Sequence, residues 1–255
     1  PSTLNGNLQI DGQHYPFEQI KSVFWSTISQ PLLGQGTQNS VNQIAQSDSN
    51  CALRTFFEEP RIHWMNSWRA FDFHRIKPRQ LSLAKQLGIT IPETYIGNDA
   101  SQLLMFANSF EKTICKPVYG GAHTVSVTKD LLVPERLKKA LRYAPITLQE
   151  HIEGTNIRTY VINDHVYSAE ISSDSLDFRS ETDPEHRAIT TPPEIVRQAL
   201  SICRAFEMQW TAIDWRKKSN GEYVFLEANP SPMFVHFERV TNYPITDNLV
   251  SMLCH

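Results

Sequence analysis

The segment Thr211 to Pro232, TAIDWRKKSNGEYVFLEANPSP, gathers residue types suited to chemistry on a phosphate. Asn220-Gly221 stands between two runs rich in β-formers, the strongest short-range signal for a β-hairpin. With these two as the turn, Lys218 faces Tyr223, Arg216 faces Phe225 and Asp214 faces Glu227. Side chains alternate between faces along a strand. Asp214, Arg216, Glu227 and Asn229 are therefore expected on one face, and Ile213, Trp215, Val224, Leu226 and Ala228 on an apolar one. Carboxylates directly opposite have Cβ atoms ~5 Å apart and repel. A divalent cation offsets that, and Mg²⁺ takes carboxylate and amide oxygens while leaving positions for phosphate. Asp214, Glu227 and Asn229 are the expected metal ligands, with Arg216 in reach of a phosphate. A solvated face of an amphipathic hairpin would show the same residues, so the local pattern leaves both readings open.

Other candidates lie upstream. Lys116, in TICKPVYGGAH, ends an apolar strand and offers a fixed charge to phosphate. Gly120 and Gly121 allow a loop with N–H donors to fold over it. Lys77, in RIKPRQL, marks a helix start. Gln149, Glu150, His151 and Ile152 end a strand whose edge could hold an adenine, with Glu for a ribose. Arg158 and Arg179 could neutralise a phosphate or a developing acyl phosphate. Each of these is, taken singly, also an ordinary surface or strand-end residue. There is no GxxxxGK(S/T), no GxGxxG and no GxSxG, so P-loop, Rossmann and Ser-nucleophile readings have no support.

The elements that must position these residues are legible in outline. Asn7 to Ile10, Asp11-Gly12 and Gln13 to Phe17 form a hairpin, and Ile20 to Trp25 a buried strand. Residues 29–50 read as a loop running into a helix whose apolar side holds Val41, Ile44, Phe56 and Phe57. A helix follows Pro78 and stops at Gly88; another, capped by Asn98 or Asp99, carries Leu103 and Leu104. Strands are expected at Thr113 to Val118, Val125 to Thr128 and Ile146 to Ile152, helices at Pro134 to Tyr143 and Pro193 to Glu207, and a hairpin turn at Asn163-Asp164. Residues 172–192 read as polar loop, and a short helix begins near Asp247. Hairpins and helices alternate without βαβ spacing, which implies α+β with mainly antiparallel sheets.

Composition agrees with a folded chain: 255 residues, 40% hydrophobic, 20% charged and a net charge of −3. No basic field exists to hold a nucleic-acid backbone. No apolar run approaches the ~18 residues of a membrane span, and no secretory signal opens the chain. The four scattered cysteines fit neither zinc nor a disulfide framework and suit a reducing cytoplasm. The chain starts at Pro1 without Met, as a processed or trimmed protein would.

Lys77, Lys116, QEHIEG, NIRTYVIN, DFR, AIDWR and FLEANPSP occur in an order that resembles the ATP-grasp carboxylate–amine ligases. Within them the chain is similar to the RimK-like group and to the graspetide (microviridin-type) peptide macrocyclases, over roughly residues 63–250. The resemblance implies an ATP-grasp fold, two antiparallel α+β subdomains sandwiching ATP, assigned to residues 73–148 and 149–255. Residues 1–72 would be a short or truncated N-terminal domain. It also implies ATP and Mg²⁺, with Lys77 and Lys116 on phosphates and Gln149 to Ile152 as the adenine linker. Asp214, Glu227 and Asn229 would bind the metal, and Arg158, Arg179 and Arg216 would lie near the transferred phosphate. The family's first strand–helix unit is not found, and the loop from Tyr119 to Thr124 holds only two glycines and a His. The expected reaction is ADP-forming ligation through an acyl phosphate, giving an amide or ester on a ribosomal precursor peptide. A RimK-like ligase for a free amino acid or small molecule is the alternative, and a non-catalytic nucleotide-binding module a third. A carboxylate-bearing substrate is the expected partner, with neither nucleic acid nor membrane; a homodimer is compatible with this reading.

Overall fold

The computed structural model describes residues 6–26, 39–119, 124–172 and 184–254. At the start, β1 (Asn7–Ile10) and β2 (Gln13–Pro16) form the expected hairpin. Asp11 and Gly12 both have positive φ (50° and 79°), the backbone that a tight two-residue hairpin requires. β3 (Ser22–Phe24) pairs in parallel with β4 (His63–Met65), and α1 (Asn39–Phe57) lies between them in sequence. Trp25 is the centre of an aromatic cluster, with the rings of Phe57, Trp64, Trp68 and Phe71 4.7–5.9 Å away. α2 (Trp68–Arg75), capped by the Ser67 side chain, and α3 (Lys77–Gln86), with Pro78 in its first turn, lead out of it.

Next come β5 (Thr94–Gly97), α4 (Ala100–Asn108), β6 (Thr113–Pro117), β7 (Val125–Ser126), α5 (Pro134–Leu141) and β8 (Ile146–Glu150). Asp99 caps α4 by accepting from the N–H groups of Ser101 and Gln102. The strands form an antiparallel sheet in the order β5-β8-β6-β7, and α4 and α5 cover it through Leu103, Leu137 and Leu141 packed on Leu148.

The second sheet is built from β9 (Thr155–Ile162), β10 (His165–Ser172), β11 (Glu185–Ile189), β12 (Trp210–Lys217) and β13 (Tyr223–Asn229), in the order β11-β10-β9-β12-β13. α6 (Pro193–Ala205) buries Ile195, Ala199 and Ile202 against Ile157, Val161, Ile213 and Trp215 on one face. α7 (Val235–Thr241) and α8 (Ile245–Cys254) cover part of the other through Phe237, Ile245 and Leu249. On that second face β9 and β12 change character along their length. Tyr160, Ile162, Trp210 and Ala212 form an apolar end under the helices, while Asn156, Arg158, Asp214 and Arg216 form a polar end. The side-chain alternation thus places a charged patch on a rigid sheet.

Three expectations are corrected. Residues 172–192 are not all loop: β11 lies within them, paired with β10. Its sequence EHRAI shows no apolar alternation because it is an outer strand with little to bury. The Asn220-Gly221 hairpin also has a longer turn. Lys218 N–H donates to the Glu222 carbonyl at 2.8 Å and Gly221, at φ 86°, takes the left-handed position, a three-residue loop. Lys217 therefore faces Tyr223, Arg216 faces Val224, and Trp215 faces Phe225 in the core. A bulge then leaves Leu226 unpaired, the register shifts back by one, and Asp214 faces Glu227. Lastly, Val224 and Leu226 leave the α6 side: Val224 opposes Arg216 and Leu226 lines a cleft.

Gly154 joins the two sheets. Its φ is +146°, and a Cβ there would stand 2.2 Å from the Lys217 carbonyl oxygen. Backbone strain of this kind is worth about 1–3 kcal/mol, and the clash adds to it. Gly154→Ala is expected to lower unfolding free energy by at least about 2 kcal/mol in urea titration; an unchanged midpoint would contradict the close approach.

Candidate functional site

A cleft of about 450 Å³ lies between the two sheets. Lys116, Gln149 and Glu150 line it from the first sheet, His151 and Ile152 from the connecting segment, and Lys77 from the start of α3. Asp214, Arg216, Glu227 and Asn229 line it from the second sheet. Arg158 stands beside Asp214 on the adjacent strand. Residues as distant in sequence as Lys77 and Asn229 are brought together, most of them on strands. Gly120, Gly121 and Arg179 lie outside the described residues; Tyr119 and Thr124, on either side of the glycine pair, both line the cleft.

The charges are matched closely. Arg158 grips Asp214 with two bonds, Nε to Oδ1 at 2.8 Å and Nη2 to Oδ2 at 3.1 Å. Burial works against the Arg158 charge, but the Asp214 carboxylate outweighs it and raises the pKa above arginine's ordinary value. Lys77 Nζ reaches Glu227 Oε2 at 2.7 Å, with both side chains about a quarter exposed. Burial pushes Tyr160, which donates to the Met233 carbonyl, up to about 12. Arg216 donates to Asn156 Oδ1 at 2.8 Å, and burial lowers its pKa. Lys116 donates to Gln149 Oε1 at 2.9 Å, and the Gln149 amide in turn donates to Thr94, which fixes its orientation.

The strand end 149–152 is anchored to its neighbours. Glu150 N–H donates to the Glu93 carbonyl, and its carboxylate accepts from Glu93 N–H at 3.1 Å. His151 N–H donates to the Lys112 carbonyl, while its buried ring Nδ1 meets no partner among the described residues. Burial first, then the nearby Arg216, lowers the His151 pKa. Asn229 Oδ1 accepts from Ser231 N–H at 2.9 Å and so starts the turn that ends β13.

Several cleft residues were not anticipated. His74 lines it, and its Nδ1 donates to the Ala228 carbonyl at 2.8 Å. Burial, then Lys77, drives its pKa down to about 4, so the ring is neutral near pH 7. Asn156, Leu226 and Gln80, the last behind the lining, were also missed. Gln80 lies one turn after Lys77 on α3 and His74 near the end of α2, on the other side of the non-helical Ile76, so no single periodic pattern in the sequence marks them.

Among the described residues no three His, Cys, Asp or Glu side chains cluster as a metal cage. The donors at hand are two opposed carboxylates and one amide, all hard oxygens. Mg²⁺ is commonly held by one or two carboxylates, with waters and substrate phosphates completing an octahedron, so this set fits that ion and not zinc.

Residues 74–253 match the RimK-like ATP-grasp domain. The chain belongs to the RimK-like ATP-grasp family. The ATP-grasp ligase PsnB, solved with a minimal precursor, has 29% identity and a TM-score of 0.75, over 84% of this chain and 73% of that one. Macrocyclase MdnC from Microcystis aeruginosa, bound to precursor peptide MdnA, superimposes over 100% of this chain and 85% of that one, with TM-score 0.87 and 22% identity, a likeness of fold. Tetrahydromethanopterin:alpha-L-glutamate ligase of Methanocaldococcus jannaschii is 24% identical over 64% of this chain and 60% of its own length. This ATP-grasp chain thus spans less than two thirds of the length of that curated relative. The expected ATP-grasp fold is the one observed. No helix among the described residues is long and apolar enough to cross a membrane.

Proposed function

We propose that this chain is an ADP-forming ligase that uses Mg-ATP to join a carboxylate to an amine or hydroxyl through an acyl phosphate, with the carboxylate on a peptide side chain. The observation that carries it is the convergence of Lys77, Lys116 and Arg216 with the opposed pair Asp214 and Glu227 at one cleft of an ATP-grasp chain, with Arg158 gripping Asp214 from the adjacent strand. No Ser or Cys lines that cleft among the described residues, which suits a reaction driven by positioning and charge neutralisation.

In this reading Lys77 and Lys116 hold the phosphates, and Gln149, Glu150, His151 and Ile152 border the base. Asp214, Glu227 and Asn229 hold Mg²⁺, which supplies charge neutralisation on the phosphates. Arg158 and Arg216 stand near the transferred phosphate, and Arg179 would serve it too. A substrate carboxylate oxygen attacks the γ-phosphorus and ADP leaves; an amine or hydroxyl then attacks the acyl carbon, releasing phosphate and a proton. Gly120 and Gly121 would form the loop over the nucleotide, with residues 73–148 and 149–255 as the two halves around it and 1–72 as the N-terminal unit. A cytoplasmic setting and a homodimer belong to the same reading. PsnB, solved with its precursor, supports a peptide substrate. The glutamate ligase relatives favour a second reading, transfer of a free amino acid to a small molecule.

The test supplies ATP and Mg²⁺ with either a peptide carrying Asp, Glu, Ser, Thr and Lys, or free glutamate with small-molecule amines. Peptide-stimulated ADP release with loss of one water per bond supports the first reading. Stimulation by glutamate alone supports the second, and no turnover with any carboxylate supports a non-catalytic module. Lys116→Ala is expected to raise KM for ATP about 10- to 100-fold, the worth of one charge-assisted hydrogen bond; an unchanged KM would remove Lys116 from the phosphate site.

A further inference from the structure

We infer that Gln80 is a positioning residue that sets the spacing of Glu227 and Asn229 by clamping the Ala228 backbone between them. The inference rests on the metal role proposed for Asp214, Glu227 and Asn229. β13 is an outer strand of its sheet, so on one side its N–H and C=O groups have no neighbouring strand. At Ala228 a side chain takes that place. Gln80 Oε1 accepts from Ala228 N–H at 2.9 Å, and Gln80 Nε2 donates to the Ala228 carbonyl at 3.1 Å. His74 Nδ1 donates to the same carbonyl at 2.8 Å, using its second lone pair. Gln80 is 1% exposed and Ala228 fully buried. The amide cannot be turned over without setting donor against donor, so its orientation is fixed.

The location gives this clamp its consequence. Ala228 points into the α6 core, while Glu227 and Asn229 on either side line the cleft. Holding the one backbone unit therefore holds both neighbouring Cα atoms. Immediately upstream the bulge at Leu226 interrupts the ladder to β12, where an unsupported strand would bend. One turn earlier on α3, Lys77 meets Glu227 itself. α3 thus grips the same strand by backbone and by side chain. Residues that orient metal ligands from behind are worth about 10- to 100-fold in metal affinity.

The experiment is calorimetry of a non-hydrolysable ATP analogue, with and without Mg²⁺, on the wild-type chain, Gln80→Met and Leu83→Ala. In Gln80→Met the Mg²⁺ concentration that half-saturates the enhancement is expected to rise about 10- to 100-fold, with Mg²⁺-free affinity unchanged. Leu83→Ala, which removes apolar packing of the same helix, should lower the melting temperature without that shift. Wild-type Mg²⁺ dependence in Gln80→Met, or an equal shift in Leu83→Ala, would overturn the clamp. Should Gln80→Met fail to fold, Gln80→Asn, polar but one methylene short, must show the same shift or the inference fails. If the wild-type chain itself binds the analogue no better with Mg²⁺, the metal assignment falls first and the clamp with it.

Discussion

Glu227→Gln is expected to reduce ADP formation at saturating ATP by at least about 10³-fold, because charge neutralisation at the transferred phosphoryl group carries most of the rate in such reactions. The substitution is nearly isosteric, so the bulge at Leu226 and the pairing with Asp214 have no steric reason to change. It removes the ion pair with Lys77, but both side chains reach solvent and the neutral amide keeps an oxygen that can accept from the Lys77 ammonium, so no buried charge is left without a partner. The melting temperature should therefore stay within about 3 °C of wild type. Asp214 is the poorer probe. Its carboxylate is bound on both oxygens by the buried Arg158 guanidinium, and removing one member of such a pair leaves an uncompensated charge that destabilises the fold as well. A coupled assay for ADP, run beside thermal melting, separates the two effects. Activity within tenfold of wild type in a folded Glu227→Gln protein would sink the metal assignment.

The facing of Asp214 and Glu227 was legible in the sequence for a reason only half right. A two-residue turn was expected; a three-residue turn displaced the ladder by one, and the bulge at Leu226 restored it. Neither event is encoded in the alternation of the strands, since a turn and a bulge are choices of backbone geometry that the flanking side chains do not dictate. Elements with a strong apolar period or a capping side chain, such as α6 and the Asp99-capped α4, stood where expected. β11 did not show, because β10 supplies its ladder and its own residues bury little. The three-residue β4 and α7, after the Pro-Ser-Pro break, were too short to carry a period. The site divides along the same line. Lys77, Lys116, Arg158 and Arg216 were singled out because charged residues in apolar strands or at helix starts stand out, and the structure sets them at or beside the cleft. Gln80 and His74 were not, because they act on a backbone unit about 150 residues away and nothing local marks a glutamine as facing inward.

Asn66→Ala is expected to have the largest effect on stability, about 3–5 kcal/mol, through hydrogen bonds left unmade in a dry interior. Asn66 is fully buried. Its amide donates to the carbonyls of Trp210 at 2.6 Å and Pro230 at 2.7 Å, and accepts from Gln209 N–H at 2.5 Å and Trp210 N–H at 3.2 Å. That is the full capacity of a carboxamide. Its own carbonyl accepts from Trp25 Nε1 at 2.7 Å, and Ser231 Oγ donates to the carbonyls of Trp25 and Ser26. One side chain thus staples the N-terminal aromatic cluster to the start of β12 and to the residue after Asn229. Truncation strands two carbonyls and two N–H groups together, whereas Ser231→Ala removes one hydroxyl at a half-open edge and should cost about 1 kcal/mol. For a chain of this size the Asn66 loss corresponds to a fall in melting temperature of roughly 10 °C. Asn66→Asp should be no milder, since it keeps the acceptor but removes both donors and buries a charge. Urea titration of the three variants checks the order. An Asn66→Ala protein within 1 kcal/mol of wild type would mean that the N-terminal unit is not held to the second sheet through this amide, and that the loop after Asn229 is positioned from its own side alone.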